Sequence, residues 1–236
     1  MTEEAAQAER LLDVLRLGRR DYREVHELQL ELLEKRIEGA ARDTLVLVEH
    51  DPVVTLGRGV KASDLGEIDL PLETVERGGE ATYHGPGQVV AYMIYQLPEG
   101  RRDVHAYLRD LEEVVIRVLA EVQIKGVRRA GLTGVWIGEQ KVASIGVALR
   151  RWVAWHGLAL NVHTDLQAFG QFHPCGLDPS VMTRVVDHAE IPPGNLLFEV
   201  LLVTYFLEVF GLQLPPPPAP GPDPRGFPQL PILQNP

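Results

Sequence analysis

The residues with the clearest chemical potential are a lone thiol and a lysine far from it in the chain. Cys175 is the only cysteine of the 236 residues and stands between Pro174 and Gly176, in a loop-like sequence of the kind that displays reactive side chains. Lys141 lies at a tight turn, Gly138–Gln140, that joins two apolar runs in the pattern of a β-hairpin. An ammonium group within about 4–6 Å lowers the pKa of a thiol and favours the nucleophilic thiolate. We therefore predict that Cys175 and Lys141 meet in space and form a nucleophilic pair.

Both residues also have an ordinary interpretation. A lone cysteine often fills a buried apolar position without reacting, and a lysine beside a hairpin turn is often an exposed surface residue. His173 lies two positions before Cys175, but neighbours in sequence need not touch. The residue pattern alone leaves both interpretations open.

A glycine-rich stretch, Arg77–Gly87, precedes an apolar run. Glycines let a backbone approach a ligand closely and direct N–H groups at it. The chain has no P-loop motif, and no G-x-G-x-x-G follows a strand here, so neither common kind of nucleotide binding is indicated. In isolation, a histidine such as His84 is more often structural than functional. Because no spacing among His84, His163, His173 and Cys175 resembles a zinc motif, we expect no metal and no cofactor.

The composition is that of an ordinary globular protein, with 45% hydrophobic and 24% charged residues. A formal net charge of −10 argues against non-specific binding to nucleic acid. The acidic N-terminal sequence has no apolar segment typical of a secretory signal. The most apolar late run, Leu196–Phe210, is too short to span a bilayer and contains two glutamates. Since the single cysteine also excludes an internal disulfide, we expect a cytoplasmic protein without membrane or nucleic-acid partners.

Hydrophobic periodicity predicts the elements that must position these residues. Helices are predicted over residues 5–17, from Asp21 onward, over Asp103–Val122, from Asp178 onward and over Gly194–Phe210. Strands are predicted over Thr44–Glu49, Val53–Leu56, Gln88–Leu97, the hairpin Gly134–Leu149 and Trp152–Val162. Because helices and strands do not alternate strictly, we predict an α/β fold with a mixed β-sheet flanked by helices. We expect one catalytic domain over residues 1–214 and a proline-rich tail over residues 215–236.

Seven blocks of sequence, in order between about residues 17 and 210, resemble the lipoyl(octanoyl) transferase family of lipoate biosynthesis. The blocks are Leu17–Tyr22 with Gln29, Glu49–Gly57, Arg77–Gln88, Gly131–Trp136, Lys141–Gly146, His156–Asn161 and Phe172–Leu177. No single block is specific, but together they are. The resemblance implies a fold like that of biotin and lipoate protein ligases.

The resemblance also implies the residues of a site. It assigns a catalytic Cys/Lys dyad to Cys175 and Lys141. It assigns substrate binding to Arg77, Gly78, Gly79, Glu80, Ala81, Thr82, Tyr83, His84, Ser144, Ile145, Gly146, Gly157, Leu158 and Ala159.

The activity implied is transfer of an octanoyl group from acyl carrier protein to a lysine, through a thioester on Cys175. The acceptors implied are the lipoyl domains of 2-oxoacid dehydrogenase complexes and the glycine cleavage H protein. Two alternatives stay open. One is an ATP-dependent lipoate or biotin protein ligase of the same fold, which needs no nucleophilic cysteine. The other is a non-catalytic module that binds acyl carrier or lipoyl domains.

Overall fold

The computed structural model describes residues 10–65, 68–172, 177–191 and 194–217, and within these ranges it has ten strands and three α-helices. The strands are β1 (Leu12–Arg20), β2 (Asp43–His50), β3 (Val53–Leu56), β4 (Leu72–Thr74), β5 (Ala81–His84), β6 (Gln88–Gln96), β7 (Val127–Arg129), β8 (Leu132–Ile137), β9 (Gln140–Arg150) and β10 (Val153–Asn161). The helices are α1 (Tyr22–Ile37), α2 (Val104–Glu121) and α3 (Asn195–Phe210). No helix in these ranges combines the length and apolar character that crossing a membrane requires.

The strands form two mixed sheets. The large sheet has the order β1-β2-β6-β10-β9-β8-β7, in which β1 and β2 are parallel and every other pair is antiparallel. The small sheet has the order β4-β3-β5, parallel on one side of β3 and antiparallel on the other. The prediction of a mixed sheet flanked by helices is confirmed.

Helices cover both faces of the large sheet. Successive side chains of a strand point to opposite faces, and β6 shows the consequence. Ala91 and Met93 pack into the main core beneath α2 and α3, whereas Val90 and Tyr92 pack on the other side, in a core that α1 covers. A sheet buried on both faces gives strands with nearly continuous apolar sequence.

The helix ends follow the signals in the sequence. Asp21 accepts hydrogen bonds from two backbone N–H groups in the first turn of α1, and Asp103 does the same for α2. Gly211 ends α3 in the left-handed conformation, with φ +62°. The predicted helices that open at Asp21, cover 103–122 and end near Phe210 are confirmed.

The predicted helix over residues 5–17 is wrong where the structure describes it. Residues from Leu12 onward form β1, which pairs in parallel with β2. Leu12 lies in the core on one face of the sheet, and Leu15 packs against the core on the other face. Because both faces of the strand are apolar, the spacing of its leucines resembles that of the apolar stripe of a helix. A bulge between Arg16 and Arg19, with Gly18 at φ +64°, further disturbs the alternation of the strand.

The helix predicted from Asp178 is limited to one 3₁₀ turn, Pro179–Val181. Asp178 accepts a hydrogen bond from the N–H of Ser180, as an N-cap does. The chain then becomes extended, because Met182 forms a β-bridge with Lys141 and the N–H of Thr183 donates to the carbonyl of Lys141. Pairing with the hairpin therefore prevents the helix from continuing.

Candidate active site

A cavity of about 220 Å³ opens between the stretch from Arg77 to His84 and the strands β9 and β10 of the large sheet. Further walls come from α1, β6 and β8. The residues that line the cavity are Tyr22, Arg77, Gly79, Glu80, Thr82, His84, Tyr92, Gly131, Leu132, Thr133, Lys141, Ser144, Ile145, Gly146, His156, Gly157, Leu158, Ala159 and Leu177.

Most of the described residues that the sequence assigned to the site lie on this cavity. The exceptions are Gly78, Ala81 and Tyr83, which do not line it. Ala81 and Tyr83 lie on β5, where alternation turns them away from Thr82 and His84 and into a separate apolar cluster around Phe169. Their contribution is to the packing behind the wall of the cavity.

Arg77 ties the glycine-rich stretch to the small sheet. It is 7% exposed, and its Nη2 donates to the carbonyl of Thr55 at 2.8 Å and to the Thr55 hydroxyl at 3.0 Å. Its Nη1 donates to the carbonyl of Gly78 at 3.1 Å. The planar guanidinium suits such a fork of acceptors. Arg77 therefore fixes the course of the backbone that follows it.

The opposite wall is built of backbone and small residues. Gly146 of β9 pairs with Gly157 of β10 in the ladder of the large sheet. A Cβ on Gly157 would lie 2.2 Å from the carbonyl oxygen of Ala91, and one on Gly146 would lie 3.1 Å from Cδ of Arg77. Close packing therefore requires glycine at position 157, and a side chain at position 146 would crowd Arg77.

Lys141 is buried at one end of the cavity, with 3% of its surface exposed. It is the second residue of β9, directly after the predicted turn Gly138–Gln140, and its Nζ lies 6.0 Å from the ring centroid of Trp136. Gly134 leaves space for it, because a Cβ there would lie 2.6 Å from Cε of Lys141. The interpretation of Lys141 as an exposed surface lysine is therefore wrong.

A buried carboxylate on α2 hydrogen-bonds to β8, the strand that pairs with β9 beside Lys141. Glu112 of α2 is fully buried, and its Oε1 accepts the N–H of Gly134 at 3.0 Å. Arg109 and Arg128 both contact its other oxygen, at 2.5 and 3.2 Å. The charge is thus paired and hydrogen-bonded, as a buried charge must be.

A buried chain of hydrogen bonds connects His84 to Lys141. Gln88 donates to the side-chain carbonyl of Asn161 at 2.9 Å, so its own Oε1 accepts the Nδ1–H of His84 at 2.8 Å. Asn161 donates to the carbonyl of Thr183 at 3.0 Å. The N–H of Thr183 in turn donates to the carbonyl of Lys141 at 3.0 Å. The glycine-rich side and the lysine are therefore positioned by one network.

Three buried histidines near the cavity are held neutral. Burial lowers the pKa of His50 to about 4. Burial, helped by the nearby His50 and Arg77, lowers the pKa of His84 to about 3. Burial, helped by His26 and Arg77, lowers the pKa of His156 to about 3. At neutral pH these rings are hydrogen-bonding groups without charge.

Cys175 lies outside the described residues, together with His173, so its contact with Lys141 stays a prediction. The described chain stops at Phe172, which is buried in the cluster around Phe169, and starts again at Leu177, which lines the cavity.

Several residues on the cavity were not assigned to it by the sequence. Tyr92 is hidden in the apolar run of β6, and its hydroxyl lies 2.8 Å from Nε2 of His50. Tyr22 opens α1, and His156 lies within β10 at φ +62°, a conformation that side chains other than glycine rarely adopt. Tyr92 is the one with a readable signal, since a tyrosine in a buried strand requires a partner for its hydroxyl.

Residues 21–206 match the family model of the lipoyl protein ligase A/B catalytic domain. The chain is 45% identical over 195 residues to an octanoyltransferase of Gloeobacter violaceus, covering 80% of this chain and 86% of the relative. It is 46% identical over 212 residues to an octanoyltransferase of Rubrobacter xylanophilus, covering 85% of this chain and 94% of the relative.

Solved structures share the fold at low sequence identity. A bipartite lipoate protein ligase of Thermoplasma acidophilum superposes with a TM-score of 0.70 at 19% identity, over 87% of this chain and 86% of the other. The biotin protein ligase of Aquifex aeolicus, solved with biotin and ATP, gives a TM-score of 0.52 at 14% identity, over 85% and 70%. The fold predicted from the resemblance is confirmed. With the family model matching most of its length and its relatives named octanoyltransferase, the chain belongs to the lipoyl(octanoyl) transferase family and is an acyltransferase.

Proposed function

We propose that this protein transfers an octanoyl group from octanoyl-acyl carrier protein to a lysine of a lipoyl-accepting domain, through a thioester on Cys175. The observation that carries the proposal is the buried Lys141 on a cavity that Leu177 also lines. Leu177 lies two residues after Cys175, and two residues span at most about 7 Å between Cα atoms. Chain continuity therefore supports a thiol near the same cavity as the ammonium group.

The first step forms the acyl-enzyme. The Cys175 thiolate, stabilised by the Lys141 ammonium, attacks the carbonyl carbon of the donor thioester. A new carbon–sulfur bond forms to Cys175, and the bond to the carrier's thiol breaks. The departing thiolate takes a proton from Lys141, which leaves Lys141 as a neutral amine. Backbone N–H groups around Ser144–Gly146 or at Cys175 would stabilise the oxyanion, each such donor contributing about 100–1000-fold in rate.

The second step forms the amide and restores the enzyme. The amine of the acceptor lysine attacks the thioester carbonyl, a carbon–nitrogen bond forms, and the Cys175 thiolate leaves. The neutral Lys141 accepts the proton that the acceptor amine gives up, which returns the pair to its starting charge. Exchange between thioesters is nearly isoenergetic and formation of the amide is favourable, so ATP is not required.

The cavity wall suits an acyl chain. Ile145, Leu158 and Ala159 are apolar residues of the lining, and Gly146 and Gly157 have no side chain to fill the space between the walls. Burial of each methylene contributes roughly 0.8 kcal/mol, enough for the enzyme to distinguish chain lengths. From the family resemblance we propose as acceptors the lipoyl domains of 2-oxoacid dehydrogenase complexes and the glycine cleavage H protein.

The test is a transfer assay with two donor conditions. We expect an apo lipoyl domain to gain one octanoyl amide from octanoyl-acyl carrier protein without ATP, and none from free octanoate with ATP. Transfer only from free octanoate with ATP would instead identify a ligase. Binding of both proteins without any transfer would identify a non-catalytic module.

Substitution of single lysines tests whether Lys141 takes part in the reaction. Lys141→Ala should lower the transfer rate by about 100-fold or more, since positioned proton transfer contributes about 10²–10⁴-fold. The exposed Lys125 offers a matched control, and Lys125→Ala should transfer at the rate of the unchanged protein. Lys141→Ala should also raise the pH at which Cys175 is alkylated. An unchanged alkylation profile would exclude the proposed dyad.

A further inference from the structure

A cluster of three side chains of the kinds that bind metals lies beside the cavity, which His156 lines, on three separate elements. His26 belongs to α1, Glu76 to the segment between β4 and β5, and His156 to β10. Their nearest ligand atoms all lie within 4.8 Å of one another. Because the three are separated by 50 and 80 positions in sequence, no motif spacing could have indicated them.

One carboxylate oxygen is shared between the two rings. Oε2 of Glu76 lies 3.0 Å from Nε2 of His26 and 3.7 Å from Nε2 of His156. Zinc binds histidine and carboxylate ligands at about 2.0–2.1 Å, which at a tetrahedral angle separates ligand atoms by roughly 3.3 Å. The two measured distances lie on either side of that value.

His156 supplies an independent observation. It is 2% exposed, and within the described part of the chain its Nε2 is a buried atom without a hydrogen-bond partner. A buried ring nitrogen without a partner loses its hydration and gains nothing in return. At 3.7 Å the carboxylate of Glu76 is too distant to form that hydrogen bond.

The backbone and the ring of His156 are both held in place by neighbouring residues. His156 has φ +62°, a strained conformation for a side chain other than glycine, and such strain persists where the surrounding structure enforces it. Its N–H donates to the side chain of Gln29 at 3.1 Å, and its ring stacks on His26 with 5.7 Å between centroids.

We propose that His26, Glu76 and His156 bind a divalent transition metal ion, with Zn²⁺ the preferred ion and a fourth position left for water. Two imidazoles and a carboxylate form a ligand set that suits zinc and does not suit magnesium. Because Nε2 of His156 makes no hydrogen bond within the described part of the chain, it can serve as a ligand atom. Arg77 brings a positive charge close to His156, so we expect weaker affinity than at four-ligand structural zinc sites.

The ligands differ in how freely they can adjust. Glu76 has 51% of its side chain exposed and His26 has 18%, whereas His156 is fixed in the core. Glu76 and the partly exposed His26 can therefore move toward an ion held by His156, and an ion can enter from their side. They are also the ligands that can be changed without opening the core.

The test is titration of the full chain carrying Cys175→Ser, which removes the thiol as a competing ligand. We expect ZnCl₂ to bind one ion per chain by calorimetry, and CoCl₂ to give the absorption spectrum of a four-coordinate site without sulfur. His26→Asn and Glu76→Gln should each weaken zinc binding at least about tenfold. His105→Asn, at an exposed histidine at the start of α2, should leave it unchanged. MgCl₂ should give no saturable binding.

Three outcomes would overturn the proposal. The first is no saturable zinc binding to the Cys175→Ser chain, including the case in which zinc binds only when Cys175 is present. The second is that the His26→Asn and Glu76→Gln variants bind zinc with the same affinity as the Cys175→Ser chain in which the cluster is intact. The third is a cobalt site that depends on the thiol. In that case the unchanged chain binds cobalt with the charge-transfer absorption of a thiolate, and the Cys175→Ser chain binds no cobalt.

Discussion

The two walls of the cavity are held by different kinds of interaction. The β9–β10 wall lies within the large sheet, where Ser144, Gly146 and their neighbours pair along a continuous ladder. The glycine-rich wall leaves regular structure between β4 and β5, and it depends on the side chain of Arg77 and on a few loop hydrogen bonds. One backbone hydrogen bond, from Gly78 to Val147 at 2.9 Å, joins the two.

The two walls are therefore held in position by different groups, backbone in one case and side chains in the other. The ladder fixes the β9–β10 wall through backbone groups that any sequence supplies, so there the side chains matter mainly through their volume. The glycine-rich wall is fixed by particular donors and acceptors, so there the identity of a few residues decides the shape. We therefore expect volume changes to damage the first wall and lost hydrogen bonds to damage the second.

The largest effect is expected from filling the ladder wall. Gly157→Ala places a Cβ 2.2 Å from the carbonyl oxygen of Ala91, so the two central strands must separate. We expect the free energy of unfolding to fall by about 3 kcal/mol, as measured by urea denaturation. Gly170→Ala, at a glycine with open space around its Cβ position, should change it by less than about 0.5 kcal/mol. Equal stability of the two variants would contradict the close packing.

The next effect is expected from releasing the glycine-rich wall. Arg77→Met fills similar space but removes the guanidinium that donates to the buried carbonyl and hydroxyl of Thr55. We expect a loss of about 2 kcal/mol in unfolding free energy. The control is Arg58→Met, at an exposed arginine of the neighbouring loop, with a change of less than about 0.5 kcal/mol. If Arg77→Met were as stable as the control, the wall would have another support.

A smaller effect is expected from cutting the network between the walls. Asn161→Ala removes the donor to Thr183 and the acceptor for Gln88. We expect about 1.5 kcal/mol lower stability and slower octanoyl transfer, because Thr183 holds the backbone of Lys141. The exposed Gln167 provides the control variant Gln167→Ala. An unchanged transfer rate in Asn161→Ala would show that the network does not position Lys141.

The smallest effect per residue is expected from the titration of the buried histidines. The folded pKa values of His50, His84 and His156 lie below the ordinary value near 6.5, so the unfolded chain binds more protons in this range. The stability these neutral rings contribute is fully present above pH 6.5 and is lost as the pH falls from there toward about 3–4. Unfolding free energy should therefore decrease from pH 7 to pH 5.5.

Substitution of a single histidine should remove its contribution to the pH dependence of the unfolding free energy. His50→Gln should lose about 1 kcal/mol less than the unchanged protein between pH 7 and pH 5.5. His105→Gln, at an exposed histidine, should keep the original dependence. A pH dependence that His50→Gln leaves unaltered would mean that His50 titrates normally in the folded state.

The elements that could be predicted from sequence are those with local signals. Asp21 and Asp103 cap their helices, Gly211 ends the last one, and the hairpin brings Lys141 to the end of its turn. The first strand could not be predicted in this way, since Leu12 and Leu15 face different cores and a bulge follows them.

The parts of the site that escaped prediction depend on tertiary structure. His156 lies in a strand that reads as apolar, and no local pattern shows its left-handed backbone or its approach to Glu76. The alternation of side chains along β5 could have been predicted from the sequence. The family resemblance nevertheless assigned Ala81 and Tyr83 to the site together with Thr82 and His84, which face the cavity. The position of Cys175 relative to Lys141 stays a prediction.

The most direct test of the central claim is the intact mass of the protein after incubation with octanoyl-acyl carrier protein. We predict one added octanoyl group, located on Cys175, removed by hydroxylamine and absent from Cys175→Ala, which should also transfer nothing to a lipoyl domain. Octanoyl transfer by Cys175→Ala at the rate of the unchanged protein, with no adduct on either, would contradict the covalent mechanism.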